Sequence, residues 1–129
     1  MKRYAEIKEL LGKTIVKIKG AEKDNDEIIF VCLDKSKYVM YHEQDCSETV
    51  FIEDVCGDVK NLVGSPILLA EETTNSDGTR LDECDESFTW TFYRLATVKG
   101  YVTIRWCGTS NGYYSESVDF VCYESEDTK

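Results

Sequence analysis

The spacing of apolar residues along the chain changes after the first dozen positions. Tyr4, Ile7, Leu10 and Leu11 recur at intervals of three and four, with Lys and Glu between them and Gly12 just beyond. That spacing predicts an amphipathic N-terminal helix closed by a glycine. The next runs, "KTIVKIKGAE", "EIIFVCLD", "KYVMYHE" and "TVFIEDV", are rich in β-branched and aromatic residues. Short polar links such as "KDND" and "KS" join them, which predicts an antiparallel meander.

In "GDVKNLVGSPILLAEE", Val59, Leu62 and Val63 fit one helical turn that Gly64 and the single proline, Pro66, bring to an end. "PILLAEE" then reads as a strand or a buried connector. Turn formers and acids dominate the following stretch, so residues 70–87 are expected to form a mobile acidic loop. The last third alternates cleanly. Trp90 and Phe92 share one face, as do Val102, Ile104 and Trp106, and Val118, Phe120 and Cys122. Lys99-Gly100 and Asn111-Gly112 separate these runs, which predicts three antiparallel strands in succession. The fold expected from the pattern is α+β: one N-terminal helix packed on a mostly antiparallel sheet of about six to eight strands.

Length adds that a single domain, 1–129, buries enough surface to fold unaided, and no Pro-, Gly- or Ser-rich linker divides it. No apolar run reaches the ~18 residues of a membrane helix, and the start lacks the apolar region of an export signal. A cytoplasmic protein without membrane contact is expected. In that compartment the six cysteines, at 32, 46, 56, 84, 107 and 122, read as free thiols rather than a disulfide framework. Cys32, Cys107 and Cys122 lie inside strand runs and suit a core.

The net charge of −10 is unevenly distributed: residues 1–23 carry +4 and residues 24–129 carry −14. An acidic body repels a phosphate backbone, so direct nucleic-acid binding is not expected. The same acidity would complement a basic groove on another protein.

The only histidine, His42, lies in "YHEQDCSETVFIEDVCGD" among six carboxylates and two cysteines. His42, Cys46 and Cys56 with Asp45 or Asp58 would supply zinc donors, but the C-x2-C pair typical of structural zinc is missing. "TTNSDGTRLDEC" places Asn75, Asp77 and Gly78 as in a calcium loop, yet Cys84 stands where the bidentate Glu belongs. Asp45, Glu53, Asp54 and Asp58 form a looser carboxylate set, which fits an acidic strand surface better than a metal site. Neither metal nor cofactor is expected. There is no nucleophile motif, phosphate-cradling glycine loop or second histidine, so the chain reads as a non-enzyme. Tyr113 and Tyr114 follow the Asn-Gly hairpin tip and point to opposite faces, which exposes one of them as an interface anchor. The expected partner-binding residues are Glu43, Asp45, Glu53, Asp54, Tyr113 and Tyr114.

In "MYHEQDCSETVFIEDVCGD", "GSPILLAEE" and "TWTFYRLATVKGYVTIRWCGTSNGYYSESVDF" the chain resembles a family of small uncharacterised proteins encoded by bacteriophages. The resemblance covers roughly residues 10–123. It implies a phage or prophage origin and expression in the cytosol of an infected bacterium, and it brings no activity, cofactor or catalytic residue. The reading that follows is a non-enzymatic accessory protein that binds and modulates a host protein, such as a defence or nucleic-acid-processing enzyme, through its acidic surface. One alternative is a protein that sequesters a small ligand or nucleotide signal, with Tyr113, Tyr114 and Arg105 lining the pocket. The other is a metal-dependent hydrolase built on His42 and its neighbouring acids.

Overall fold

The structure, a computed structural model, describes residues 2–44, 48–77, 87–110 and 116–124. Within them run nine strands: β1 (Lys2–Tyr4), β2 (Ile15–Lys19), β3 (Glu27–Cys32), β4 (Lys37–Tyr41), β5 (Thr49–Cys56), β6 (Leu69–Asp77), β7 (Ser87–Thr97), β8 (Gly100–Ser110) and β9 (Asp119–Tyr123). Two 3₁₀ turns, Ile7–Leu10 and Val59–Leu62, are the only helical elements described. The fold is therefore all-β rather than α+β. Its strands form two antiparallel sheets instead of one, in the orders β1-β9-β4-β3-β2 and β5-β8-β7-β6.

The expected N-terminal helix is absent for a physical reason. Ile7 and Leu10 are buried, but Tyr4 and Leu11 are 68% and 48% exposed, so half of the apolar stripe has nothing to pack against. A helix of a few turns is unstable without such packing. Lys2–Tyr4 instead extends along β9, and a single turn with Glu6 and Glu9 capping each other suffices to bury Ile7 and Leu10. Gly12, at φ +83°, then reverses the chain, and backbone hydrogen bonds join Gly12 and Lys13 to Ile67.

The meander holds for β2, β3 and β4, but β5 leaves it and pairs with β8 in the other sheet. In the same way β7 and β8 form a hairpin, whereas β9 does not continue it: β9 crosses to the first sheet and lies between β1 and β4. Strand structure also occupies part of the expected loop at 70–87, since β6 extends to Asp77 and β7 begins at Ser87. Residues 78–86 are outside the described residues. The short turn over Val59–Leu62 is present, capped by the Asp58 carboxylate accepting from the Lys60 amide at 3.0 Å.

The inward faces of the two sheets share one core. From the five-stranded sheet come Ile28, Phe30, Tyr38, Met40, Phe120 and Cys122. The four-stranded sheet contributes Val50, Ile52, Tyr93, Leu95, Ile104 and Trp106, and Leu62 closes one side. Tyr38 stacks on Phe120 with ring centroids 5.3 Å apart, and the Trp106 indole N–H points at the Met40 sulfur at 3.3 Å, from one sheet to the other. Cys32, Cys107 and Cys122 are buried free thiols, and Cys56 is exposed. No helix among the described residues is long and apolar enough to cross a membrane.

Trp106 is fully buried and touches both sheets, so Trp106→Ala should lower the unfolding free energy by about 3–5 kcal/mol. Urea denaturation measures this, and a loss under ~1 kcal/mol would contradict the placement of Trp106 at the centre of the core.

Candidate functional site

Side chains alternate between faces along a strand, so the residues that the core leaves out form the two outer faces. Alternation breaks once on β5. Ile52 pairs with Trp106 and Asp54 with Arg105, and Glu53 is the extra residue of a bulge between them. A bulge of this kind sets two residues against one on the partner strand. Both carboxylates consequently meet one guanidinium. Arg105 Nε donates to Glu53 Oε1 at 2.7 Å, Arg105 Nη2 also bonds Glu53, and Asp54 Oδ2 lies 3.8 Å away. Glu53 holds the Arg105 guanidinium even more firmly protonated than usual.

The same guanidinium lies over the Trp90 ring, 5.6 Å from its centroid. Strand register continues the outer face on either side. One row runs Asn75–Trp90–Cys107–Phe51, and the next runs Thr73–Phe92–Arg105–Asp54. Phe51, Trp90 and Phe92 are all partly exposed. Cys107 is buried, and burial together with Glu53 pushes its thiol pKa up, which disfavours a reactive thiolate.

The expected partner-binding residues thus separate. Glu53 and Asp54 come together, but with their charge shared by Arg105. Glu43 is elsewhere, beside the other sheet, where its carboxylate accepts from the Tyr41 hydroxyl at 3.1 Å and its amide donates to Asp119. Asp45, Tyr113 and Tyr114 are outside the described residues.

His42 is not on an acidic surface. Its side chain is 4% exposed and that of Glu48 is 0% exposed. Nδ1 lies 2.7 Å from the Ser117 carbonyl, which can only accept, so this nitrogen carries hydrogen. Nε2 lies 2.6 Å from a Glu48 carboxylate oxygen, and one proton is shared in that contact. With both ring nitrogens engaged, His42 has no free position for a metal or a substrate. No group of three or more His, Cys, Asp or Glu side chains among the described residues is arranged to hold a metal ion.

A second buried acid, Glu116, accepts from Thr89 at 2.7 Å and from the Ser110 hydroxyl. Gly108 makes room for it, since a Cβ there would come within 2.5 Å of the Glu116 carbonyl. The sequence pattern did not mark Glu48 or Glu116, because an acid is buried only when distant partners satisfy it.

Depressions among the described residues include two beside the five-stranded sheet. A shallow one of about 620 Å³ is lined by Leu11, Lys13, Leu33 and Asp34, with Lys13 and Asp34 paired at 2.6 Å. The Lys13 ammonium and then the Ser36 hydroxyl draw the Asp34 carboxyl down to about 2. Another, about 380 Å³, lies on the outer face of the five-stranded sheet among Lys2, Lys37, Tyr41, Tyr123, Glu27 and Glu43.

A family profile matches residues 8–120. The chain belongs to the DUF7448 family, a domain of unknown function. No curated protein and no solved structure matches the chain. The DUF7448 match takes in the β5 bulge, Arg105 and the His42–Glu48 pair, and leaves out β1.

His42→Ala should lower stability by about 1–3 kcal/mol in a urea titration, since it strips two hydrogen bonds from a buried position. An unchanged midpoint would mean that the pair contributes nothing to the fold. The Asp34 carboxyl should titrate near about 2 by side-chain carbon NMR, and Lys13→Met should return it toward the ordinary 3.8. Because the folded value is depressed, the pair stabilises the fold above the ordinary value, and that contribution disappears as pH falls through the interval. Asp34 is half-exposed, so the contribution is small. A titration that Lys13→Met leaves in place would refute the pairing.

Proposed function

We propose that this domain is a non-enzymatic binding module of phage origin that works in the cytosol of an infected bacterium by capturing a host protein. The observation that carries this reading is the outer face of the four-stranded sheet. There Phe51, Trp90 and Phe92 reach solvent around an arginine held in place by two carboxylates. Aromatic rings and a pre-positioned guanidinium are the side chains that most often dominate protein interfaces. An arginine already fixed by Glu53 loses little freedom on binding, which favours affinity.

This reading shifts the weight from bare acidity to the aromatic face. Glu53 and Asp54 are paired with Arg105, and Glu71 lies 3.9 Å from Arg94, so the charge of this face is nearly balanced. The −10 net charge keeps a separate role, drawing a basic partner in during encounter. The burial of His42 argues against a hydrolase, and the pairing of Arg105 argues against its use as a phosphate ligand in a small-molecule pocket.

Trp90→Ala/Phe92→Ala should reduce capture of the partner from bacterial lysate by at least about tenfold, quantified by mass spectrometry against the unmodified protein. Thermal melting of the variant establishes that it is folded. Equal capture by a folded double variant would end the proposal.

A further inference from the structure

The outer face of the five-stranded sheet carries a second, different chemistry. Strand register places Lys2, Tyr123, Lys37, Val31 and Lys17 in one row across all five strands. The three lysines fall on alternate strands, roughly 10 Å apart. The neighbouring row is Tyr4, Val121, Val39, Ile29 and Lys19. Lys2, Lys17, Lys19 and Lys37 have no ion-pair partner among the described residues, although the chain carries ten more acids than bases.

Rings accompany these charges. Lys37 Nζ is 5.3 Å from the Tyr123 ring centroid, and Lys2 Nζ is 5.9 Å from that of Tyr41 and 3.4 Å from its hydroxyl. Tyr4 and Tyr123 are 68% and 36% exposed. They are diagonal neighbours on adjacent strands, with Cα atoms roughly 7–8 Å apart. Beneath them, Val39 and Val121 form an apolar floor under the long side chains of the rim. The acids of this face, Glu27, Glu43 and Asp119, cluster at its opposite end, and Glu27 and Asp119 share a row with Tyr41. The backbones of the two rows are roughly 13 Å apart. Side chains span part of that gap: Glu27 and Glu43 line the same depression as Lys2 and Lys37, and the Tyr41 hydroxyl sits between Lys2 Nζ, at 3.4 Å, and the Glu43 carboxylate, at 3.1 Å.

We propose that this face binds single-stranded nucleic acid, with the phosphate backbone along the Lys2–Lys37–Lys17 row and bases stacked on Tyr123 and Tyr4. A compact anion would satisfy one lysine, whereas an extended polyanion meets all three. An acidic peptide would use the lysines but leave the tyrosine faces idle, while every nucleobase has a face to stack on them. Whole-molecule charge argues the other way, and Glu27 and Glu43 border the Lys2–Lys37 part of the face, but the row itself holds no acid. The site is independent of the aromatic face of the other sheet.

Fluorescence anisotropy with a labelled oligothymidylate of roughly 12 nucleotides, at low salt, tests the proposal. Binding should weaken with salt at a log–log slope near about −2, the value for three neutralised phosphates on a single strand. Lys17→Glu/Lys37→Glu should weaken it by at least about tenfold. Tyr123→Ala should weaken it where Tyr123→Phe does not, which separates stacking from charge, and Trp90→Ala/Phe92→Ala should leave it unchanged. Absence of binding at low salt, or binding that ignores the lysine reversals in a variant with normal melting, would overturn the proposal. So would equally effective competition by polyglutamate, which would assign the face to an acidic protein.

Discussion

Trp106 lies fully buried between the sheets, with its indole nitrogen against the sulfur of Met40 from the opposite layer. Phe30, Tyr38, Phe120 and Tyr93 fill the same interior. Once that set is turned inward, the residues between them have only one direction left, because a strand shows its two faces in strict alternation and a slip of one residue would expose the whole core. The Lys2–Tyr123–Lys37 row and the Trp90–Cys107–Phe51 row are both consequences of this constraint. Neither face was positioned separately. A substitution that loosens the core would therefore disturb both surfaces together.

Period-two alternation made much of the interior legible in the sequence. Val102, Ile104 and Trp106 share one side of β8, and Phe120 and Cys122 share one side of β9, as their spacing indicates. Even the bulge left a trace, because Val50 and Ile52 keep a spacing of two and Val55 arrives three residues later. The N-terminus was misread since a single i, i+3 pair, Ile7 and Leu10, fits a 3₁₀ turn as well as an α-helix. Which sheet each strand joins was not readable at all. The crossing of β5 and β9 depends on partners 47 to 60 residues away along the chain for β5 and about 80 for β9.

The candidate site was legible in composition but not in geometry. Glu53 and Asp54 read as a patch of negative charge, and only the register reveals that Arg105, from a strand far along the chain, stands opposite both. His42 read only as a histidine among acids and cysteines. Its burial depends on the Ser117 carbonyl and on Glu48, neither of which local pattern ties to it. A polar residue's role is decided by what satisfies it, and that information is nonlocal.

Net charge is for the same reason a poor summary of this surface. Seven of the fifteen basic residues fall in the first 23 positions, and the strands of that segment, β1 and β2, become the two edges of the five-stranded sheet. The fold thus spreads the basic end of the chain across one face, with Lys37 of β4 between the edges. Screening makes this separation matter. At physiological salt the Debye length is about 8 Å, which screens the acids elsewhere on the molecule but not Glu43, one tyrosine hydroxyl away from Lys2. A ligand on the row therefore meets the lysines directly, with the Glu43 charge felt at the Lys2 end. The acidic remainder acts on the approach of a partner more than on what the row can hold once contact is made.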